Sequence, residues 1–473
     1  MRTSGLSPLE RGLQLLATVR PGEGRGIVLM VAQVFLLLLA YYLIRPLREA
    51  LILAEGTSVV RSYAVGAVAV TLIFLIPLYR LLFNHLDGRG SKSTVLRWVM
   101  AFFIANLLVF CALGAAGVPI GVPFFVWVGV FSVMLLAQFW AFAADLLNIR
   151  SGQRLFAIIA IGAALGAWCG SRLSGWLIAA VGPFPMMLVA AALLVVALGL
   201  SVAVERSIPD AARAPDEAPR RVPTSHGLDE IRTSFDVVLR NRYLLLIAVF
   251  VALINWINST GGYILASFVE EYAAQQVPSG NVEAEREVIG QFYGGYFAWI
   301  TLLQLFLQLF VVSRVLRYFG VRVALVMLPL VMVANYGLMA WMPVFALVRV
   351  TMIAENATNY SLHGTSCHSL FLPLTREQKY MGKTTVDTFF WRFGDLLHAL
   401  TIFVAVQWLQ LAMDLVMLFN LGLALIALTV SVLIGHHHAS AVRALAGEQD
   451  PAADAPLDTP VHSVAVRARG PYA

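Results

Sequence analysis

Apolar runs of membrane-spanning length dominate this chain, and they leave little freedom in what it can fold into. They cover residues 27–53, 59–83, 95–117, 122–144, 155–181, 184–204, 243–269, 292–316, 321–342, 345–372, 384–407 and 411–434. A helix crossing the hydrocarbon core needs roughly twenty apolar residues, so the pattern predicts about twelve transmembrane helices. Only 13% of residues are charged, about half of the roughly one quarter usual in soluble domains. The expected fold class is an all-α polytopic membrane protein with two six-helix halves. The runs divide the chain into an N-terminal segment (1–26), a first bundle (27–204), a linker (205–242), a second bundle (243–434) and a tail (435–473).

The first apolar run starts late, is long and has no small-residue cleavage site after it, so it reads as a retained span. The linker stretch "SIPDAARAPDEAPRRVPTS" is rich in Pro, Ala and charge, a flexible composition. After it, Ile231, Phe235, Val238 and Leu239 recur at helical spacing, which predicts a short amphipathic helix on the membrane surface. The tail reads as disordered, and His436–His438 as a solvated helix end. Cys111, Cys169 and Cys367 all fall in apolar runs and read as small core residues, with neither a disulfide framework nor metal-ligand spacing.

The formal net charge of +6 is no nucleic-acid signal. The basic residues sit in loops that recur after every second span: Arg80, Arg89, Lys92 and Arg97; Arg150 and Arg154; the linker; Arg314, Arg317 and Arg322; Arg376, Lys379 and Lys383. The opposite loops are short or acidic, as in 270–287. The positive-inside rule then places both termini in the cytoplasm, and a bacterial inner membrane is the expected location. The loop holding Asp87, Gly88, Arg89 and Gly90 is a partial match to the basic loop of the major facilitator superfamily, and "SRVLRYFGVRVAL" at the equivalent place in the second half is a weaker one. Two sixes and these loops imply duplicated, major facilitator-like halves.

Charges inside spans are costly and mark function by default. In "YYLIRPLREALIL", Arg45 and Glu49 stand four apart on one helix face, with Arg48 beside them and Pro46 removing a backbone donor. The bland alternative is a snorkelling pair at the membrane edge. In the tenth span, Arg349, Asn356, Asn359 and His363 fall on one stripe at helical spacing, with Glu355 to one side. The stripe faces either a water-filled cavity or a neighbouring helix. In the eleventh, Lys383 with Asp387 and Arg392 with Asp395 either neutralise each other or exchange partners during a conformational cycle. Gln138, Asn255 and Asn258 are further polar residues within spans. Gly162, Gly166 and Gly170 form a close-packing face. The Gly261–Gly262 pair suggests a local helix break. No Walker loop, HExxH, Gly-x-Ser-x-Gly elbow or pair of short Cys/His metal modules occurs, so neither catalysis nor a cofactor is expected.

Five stretches occur in order: "YYLIRPLREAL", "QFWAFAADLLN", "GQRLFAIIAIGAALGAWCGS", "ENATNYSL" and "LFLPLTREQKYMGKTTVDTFFWRFGD". Together they resemble the ATP/ADP translocases, or NTP/NDP exchange transporters, of intracellular bacteria and plastids. The resemblance implies a major facilitator-like fold, alternating access, and exchange of nucleotides without hydrolysis. Arg45, Arg48 and Glu49 match an Arg-x-x-Lys-Asp-like signature with the charge signs kept, and Gly382, Lys383 and Asp387 match the start of the eleventh span. Family glutamates fall at Gln138 and near Asn255–Asn258, where this chain has no acid. The resemblance makes Arg48 the expected substrate contact and Arg45 with Glu49 an internal pair. The expected partners are a nucleotide or other anionic small molecule and the lipid bilayer, with a monomer favoured. The fold also accommodates a proton-coupled anion carrier, titrating at Glu49, Glu355, Asp387 or Asp395. A membrane scaffold or enzyme with structural ion pairs is the reading from another class.

Overall fold

The structure is a computed structural model that describes residues 7–14, 18–86, 93–209, 227–278, 280–375 and 378–449. All regular elements among them are helical. A short α1 (Pro8–Leu13) precedes six long helices: α2 (Gly24–Glu55), α3 (Ser58–Leu86), α4 (Ser93–Ala115), α5 (Gly121–Leu146), α6 (Ile149–Val181) and α7 (Pro183–Ser207). A connecting helix, α8 (Gly227–Arg240), leads to α9 (Arg242–Gln276) and α10 (Val282–Phe306). A π-helical turn (Leu307–Val312) continues α10 into α11 (Ser313–Tyr318), before α12 (Gly320–Trp341). The next span joins α13 (Phe345–Thr358) through a π turn (Asn359–His363) to α14 (Gly364–Leu370). The next combines α15 (Lys383–Thr385) and α16 (Trp391–Ile402) with three π stretches, and α17 (Met413–Gln449) ends the described chain.

Eleven of these helices are long and apolar enough to cross a membrane by length and composition. The remaining span, 345–370, is helical but too polar to qualify, because it carries Arg349, Glu355, Asn356, Asn359 and His363. Helices α2 to α7 pack into one bundle and α9 to α17 into another. The two bundles meet through α6 against α10, α2 against α10, and α3 against α16.

Polar links join the bundles at the Glu55 end of α2, and a glycine contact joins them farther down α10. Arg286 of α10 pairs with Glu55 at 2.7 Å, and Glu270 of α9 accepts the Ser58 backbone N–H at 3.0 Å. The Ser267 hydroxyl donates to that of Ser58 at 3.0 Å. Gly294 of α10 lies against Gly175 of α6, where an added Cβ would stand 2.7 Å from the Gly175 nitrogen. The bundles therefore pack against each other at the Glu55 end, and a cavity lies between them.

The glycine face of α6 packs as its spacing predicts. Added Cβ atoms at Gly162, Gly166 and Gly170 would lie 2.7 Å from Val31 Cγ1, 2.3 Å from the Phe35 carbonyl oxygen and 2.6 Å from the Leu39 carbonyl oxygen. At Gly166 the three nearest atoms all belong to the Phe35 backbone, so there is no side chain to move aside. We expect Gly166→Leu to destabilise the first bundle by about 1–3 kcal/mol through overpacking. Loss of monodisperse protein in detergent and a lowered Tm would show it.

Three expectations need correction. Helix α9 runs unbroken through Gly261 and Gly262. Gly261 instead makes room for Tyr336, whose hydroxyl would be 2.2 Å from an added Cβ. Helix α17 continues past Gly435 to Gln449, so the tail begins as helix. Within it His438 is buried, its Nδ1 2.9 Å from the Tyr243 hydroxyl, so it is no solvated end. Finally, the amphipathic α8 packs Phe235 on Phe389 at 5.1 Å and buries Val238, while leaving Leu239 exposed. Its apolar face is thus shared between the protein and its surroundings. The loop at Asp87–Gly90 lies outside the described residues.

Candidate functional site

A cavity of about 670 Å³ lies between the bundles, beneath the closed end. Its charged lining comes from three helices: Arg45, Arg48 and Glu49 on α2, Arg61 on α3, and Arg392 and Asp395 on α16. Its ring-bearing lining includes Tyr41, Tyr42, Tyr293, Tyr296, Phe297 and Tyr360.

Glu49 is fully buried and organises the first group. Its Oε1 accepts from Arg48 Nη2 at 2.5 Å and its Oε2 from Arg61 Nε at 2.6 Å. Arg61 stands on the next helix, reached through the short turn at Gly56 and Thr57. The Arg48 guanidinium also lies 4.3 Å from the centre of the Phe125 ring, a favourable cation–π position. This corrects the expected pairing: the partners of Glu49 are Arg48 and Arg61, and Arg45 is not one of them.

Arg45 makes no ion pair among the described residues. Its Nη1 donates to the Tyr42 hydroxyl at 3.1 Å and its Nη2 to that of Tyr360 at 3.4 Å. Its guanidinium stacks 4.2 Å from the Phe297 ring centre. Arg45 Nε, Asn258 Oδ1 and the Tyr293 hydroxyl, on residues that line the cavity, are buried atoms without a hydrogen-bond partner among the described residues. Arg45 is therefore a cation held in place by neutral groups, with donor capacity left over.

Across the cavity, Asp395 accepts from Arg392 Nη1 at 3.3 Å, Asn255 Nδ2 at 2.8 Å and Ser259 Oγ at 2.7 Å. Asn255 also donates to the Trp391 carbonyl at 2.7 Å. Asp395 is thus a satisfied carboxylate that fixes α16 to α9.

Of the fourteen residues singled out from the sequence, seven line the cavity: Arg45, Arg48, Glu49, Asn255, Asn258, Arg392 and Asp395. The other seven lie elsewhere. Gln138 is buried on α5 outside it. Arg349 sits 5.6 Å from the Phe292 ring centre. Glu355 is buried and accepts from Asn335 at 2.6 Å and Tyr336 at 3.0 Å. Asn359 is buried in the π turn, and His363 packs 5.4 Å from the Phe250 ring centre. Lys383 and Asp387 pair at 2.5 Å outside the cavity, both substantially exposed. In the tenth span the cavity face is Met352, Asn356 and Tyr360, so only Asn356 of the expected stripe lies on it. Arg61, Tyr293 and Tyr296 were not singled out. A tyrosine pair at i, i+3 within a span is a signal that could have marked the last two.

A multi-pass helical membrane protein with a major facilitator-like fold and a cation-rich central cavity is the class these features define. A structure of a variant of the nucleoside transporter NupG is similar to it, with a TM-score of 0.60 at 12% identity, covering 86% of this chain and 99% of that one. A bacterial homologue of the iron transporter ferroportin in an inward-facing state gives a TM-score of 0.58 at 13% identity, covering 86% of this chain and 98% of that one. At these identities the likeness is one of fold. The chain belongs to the TLC ATP/ADP transporter family, whose profile matches residues 124–433. The ADP,ATP carrier protein 1 of Chlamydia pneumoniae is 23% identical over 301 residues, which is 56% of this chain and 56% of that carrier. The chain thus spans about half the length of the curated relatives it matches. Arg45, Arg48, Glu49 and Arg61 precede the residues the family profile matches.

Proposed function

We propose that this protein is a secondary-active carrier that exchanges nucleotide-class organic anions across a bacterial inner membrane by alternating access. The observation that carries the reading is Arg45, a cation without a carboxylate partner, set among phenols and rings in a cavity between two halves. A guanidinium offers planar, paired donors to a phosphate, and aromatic faces suit a base. Family membership and the fold support the same reading. Arg154 pairs with Glu23 at 2.9 Å beside the Gly24 end of α2, and the positive-inside rule assigns that end to the cytoplasm. On that assignment the closed Glu55 end is external, and the cavity faces inward.

The test is uptake of labelled adenine nucleotides into proteoliposomes carrying the purified full-length chain. Uptake is expected only when the vesicles are preloaded with unlabelled nucleotide. Arg45→Gln should lower it by about a hundredfold, the scale of one charge-assisted phosphate contact, with Tm little changed. Uptake that follows a pH gradient and ignores preloading would replace exchange by proton coupling. The absence of uptake for every nucleotide tried would sink the proposal.

A further inference from the structure

The charges lining the cavity do not cancel. Four guanidiniums (Arg45, Arg48, Arg61 and Arg392) face two carboxylates (Glu49 and Asp395), leaving two positive charges in excess. Both carboxylates are committed. Glu49 gives one oxygen to Arg48 and the other to Arg61, and Asp395 is held by Arg392, Asn255 and Ser259. The excess therefore falls on two centres, the Arg48–Glu49–Arg61 group and Arg45. On α2, Arg45 and Arg48 are three residues apart, a rise of about 4.5 Å, so both centres are anchored within one turn of the same helix.

A cavity that closes on both sides during reorientation loses its water. Net charge left inside is then costly, since charges interact far more strongly at low dielectric than in water. A solute that brings two negative charges balances this cavity. One that brings three or four reverses the imbalance. We infer that the exchanged solute is a ring-bearing dianion, a nucleoside monophosphate, in preference to a metal-free di- or triphosphate. This rests on the exchange reading above and names the substrate class of that same site. It also explains coupling: the empty cavity retains its two charges, so reorientation without a solute is disfavoured.

The experiment is counterflow of labelled AMP, ADP and ATP, with magnesium removed by chelator, in the same proteoliposomes at pH 7.5. AMP should exceed ADP and ATP by at least about tenfold in kcat/KM. The second ionisation of a terminal phosphate has a pKa of about 6. Below that pH, AMP becomes a monoanion and ADP approaches a dianion, so the ADP-to-AMP ratio should rise in the unmodified protein. Asp395→Asn, which adds one net positive charge, should raise the same ratio at pH 7.5 by about tenfold. Magnesium-free exchange of ADP or ATP at rates equal to or above AMP overturns the inference and leaves nucleotide exchange standing. A ratio indifferent to pH overturns it as well. Exchange of no nucleotide at all defeats the underlying reading and takes the inference with it.

Discussion

Glu49→Gln is expected to cost the protein its stability before it costs anything else. The substitution is nearly isosteric, so packing is preserved. What goes is the negative charge that Arg48 and Arg61 share at 2.5 and 2.6 Å. Removing one partner from a buried ion group typically costs about 3–5 kcal/mol, because the remaining charge stays buried and uncompensated. Here two guanidiniums would remain. Thermal unfolding in detergent should show a Tm drop well beyond that of Arg45→Gln, together with a sharp fall in folded yield. A second substitution, Arg61→Gln, should recover part of the loss by removing one stranded cation, and Arg45→Gln should not. A loss in the double variant equal to the sum of the Glu49→Gln and Arg61→Gln losses would show that the Glu49–Arg61 link has no coupling energy.

The second large effect is expected at the seam between the bundles. Any side chain at Gly294 would meet the Gly175 nitrogen at 2.7 Å and the Ser171 carbonyl oxygen at 3.1 Å. Both are backbone atoms and cannot turn aside. Gly294→Leu should therefore force α10 away from α6 beside the cavity and stop the bundles closing there, while each bundle retains its own core. Uptake should fall to background with Tm nearly unchanged. A cysteine placed at cavity residue Ser259, in a background without the three native cysteines, should then react with an impermeant thiol reagent added outside. Without Gly294→Leu it should be protected. Protection in both backgrounds would mean that the seam does not control access.

The fold was largely legible because a bilayer imposes length and apolarity on every span, and these runs obey it. The site was legible only in part. Arg45 and Glu49 share a helix face, and the i, i+4 rule made them a pair. That rule sees one helix at a time. Arg61 reaches Glu49 from the following helix, and Arg48, adjacent in sequence, curls back onto the same carboxylate. In the tenth span the 100° wheel assumed a regular helix, but a π turn at Asn359–His363 interrupts it. Asn359 and His363 are buried away from the cavity, while Tyr360 reaches it. Single π turns are common at functional sites, and residue spacing carries no trace of them. Lys383 and Asp387 matched a family pattern, yet they pair with each other outside the cavity.

The polar tenth span also bears on how the chain enters the membrane. One charged residue near mid-span costs roughly 2.5–3.5 kcal/mol on scales taken from insertion experiments, and this span carries Arg349 and Glu355. Both groups that hold Glu355, Asn335 and Tyr336, belong to α12. That helix precedes it in the chain, so it emerges from the ribosome first. The acceptor span is in place with its hydroxyl and amide waiting when the polar one arrives. Co-translational assembly should thus treat α12 and the 345–370 span as one inserting hairpin, and a chain lacking Asn335 and Tyr336 should strand the second arm outside the lipid.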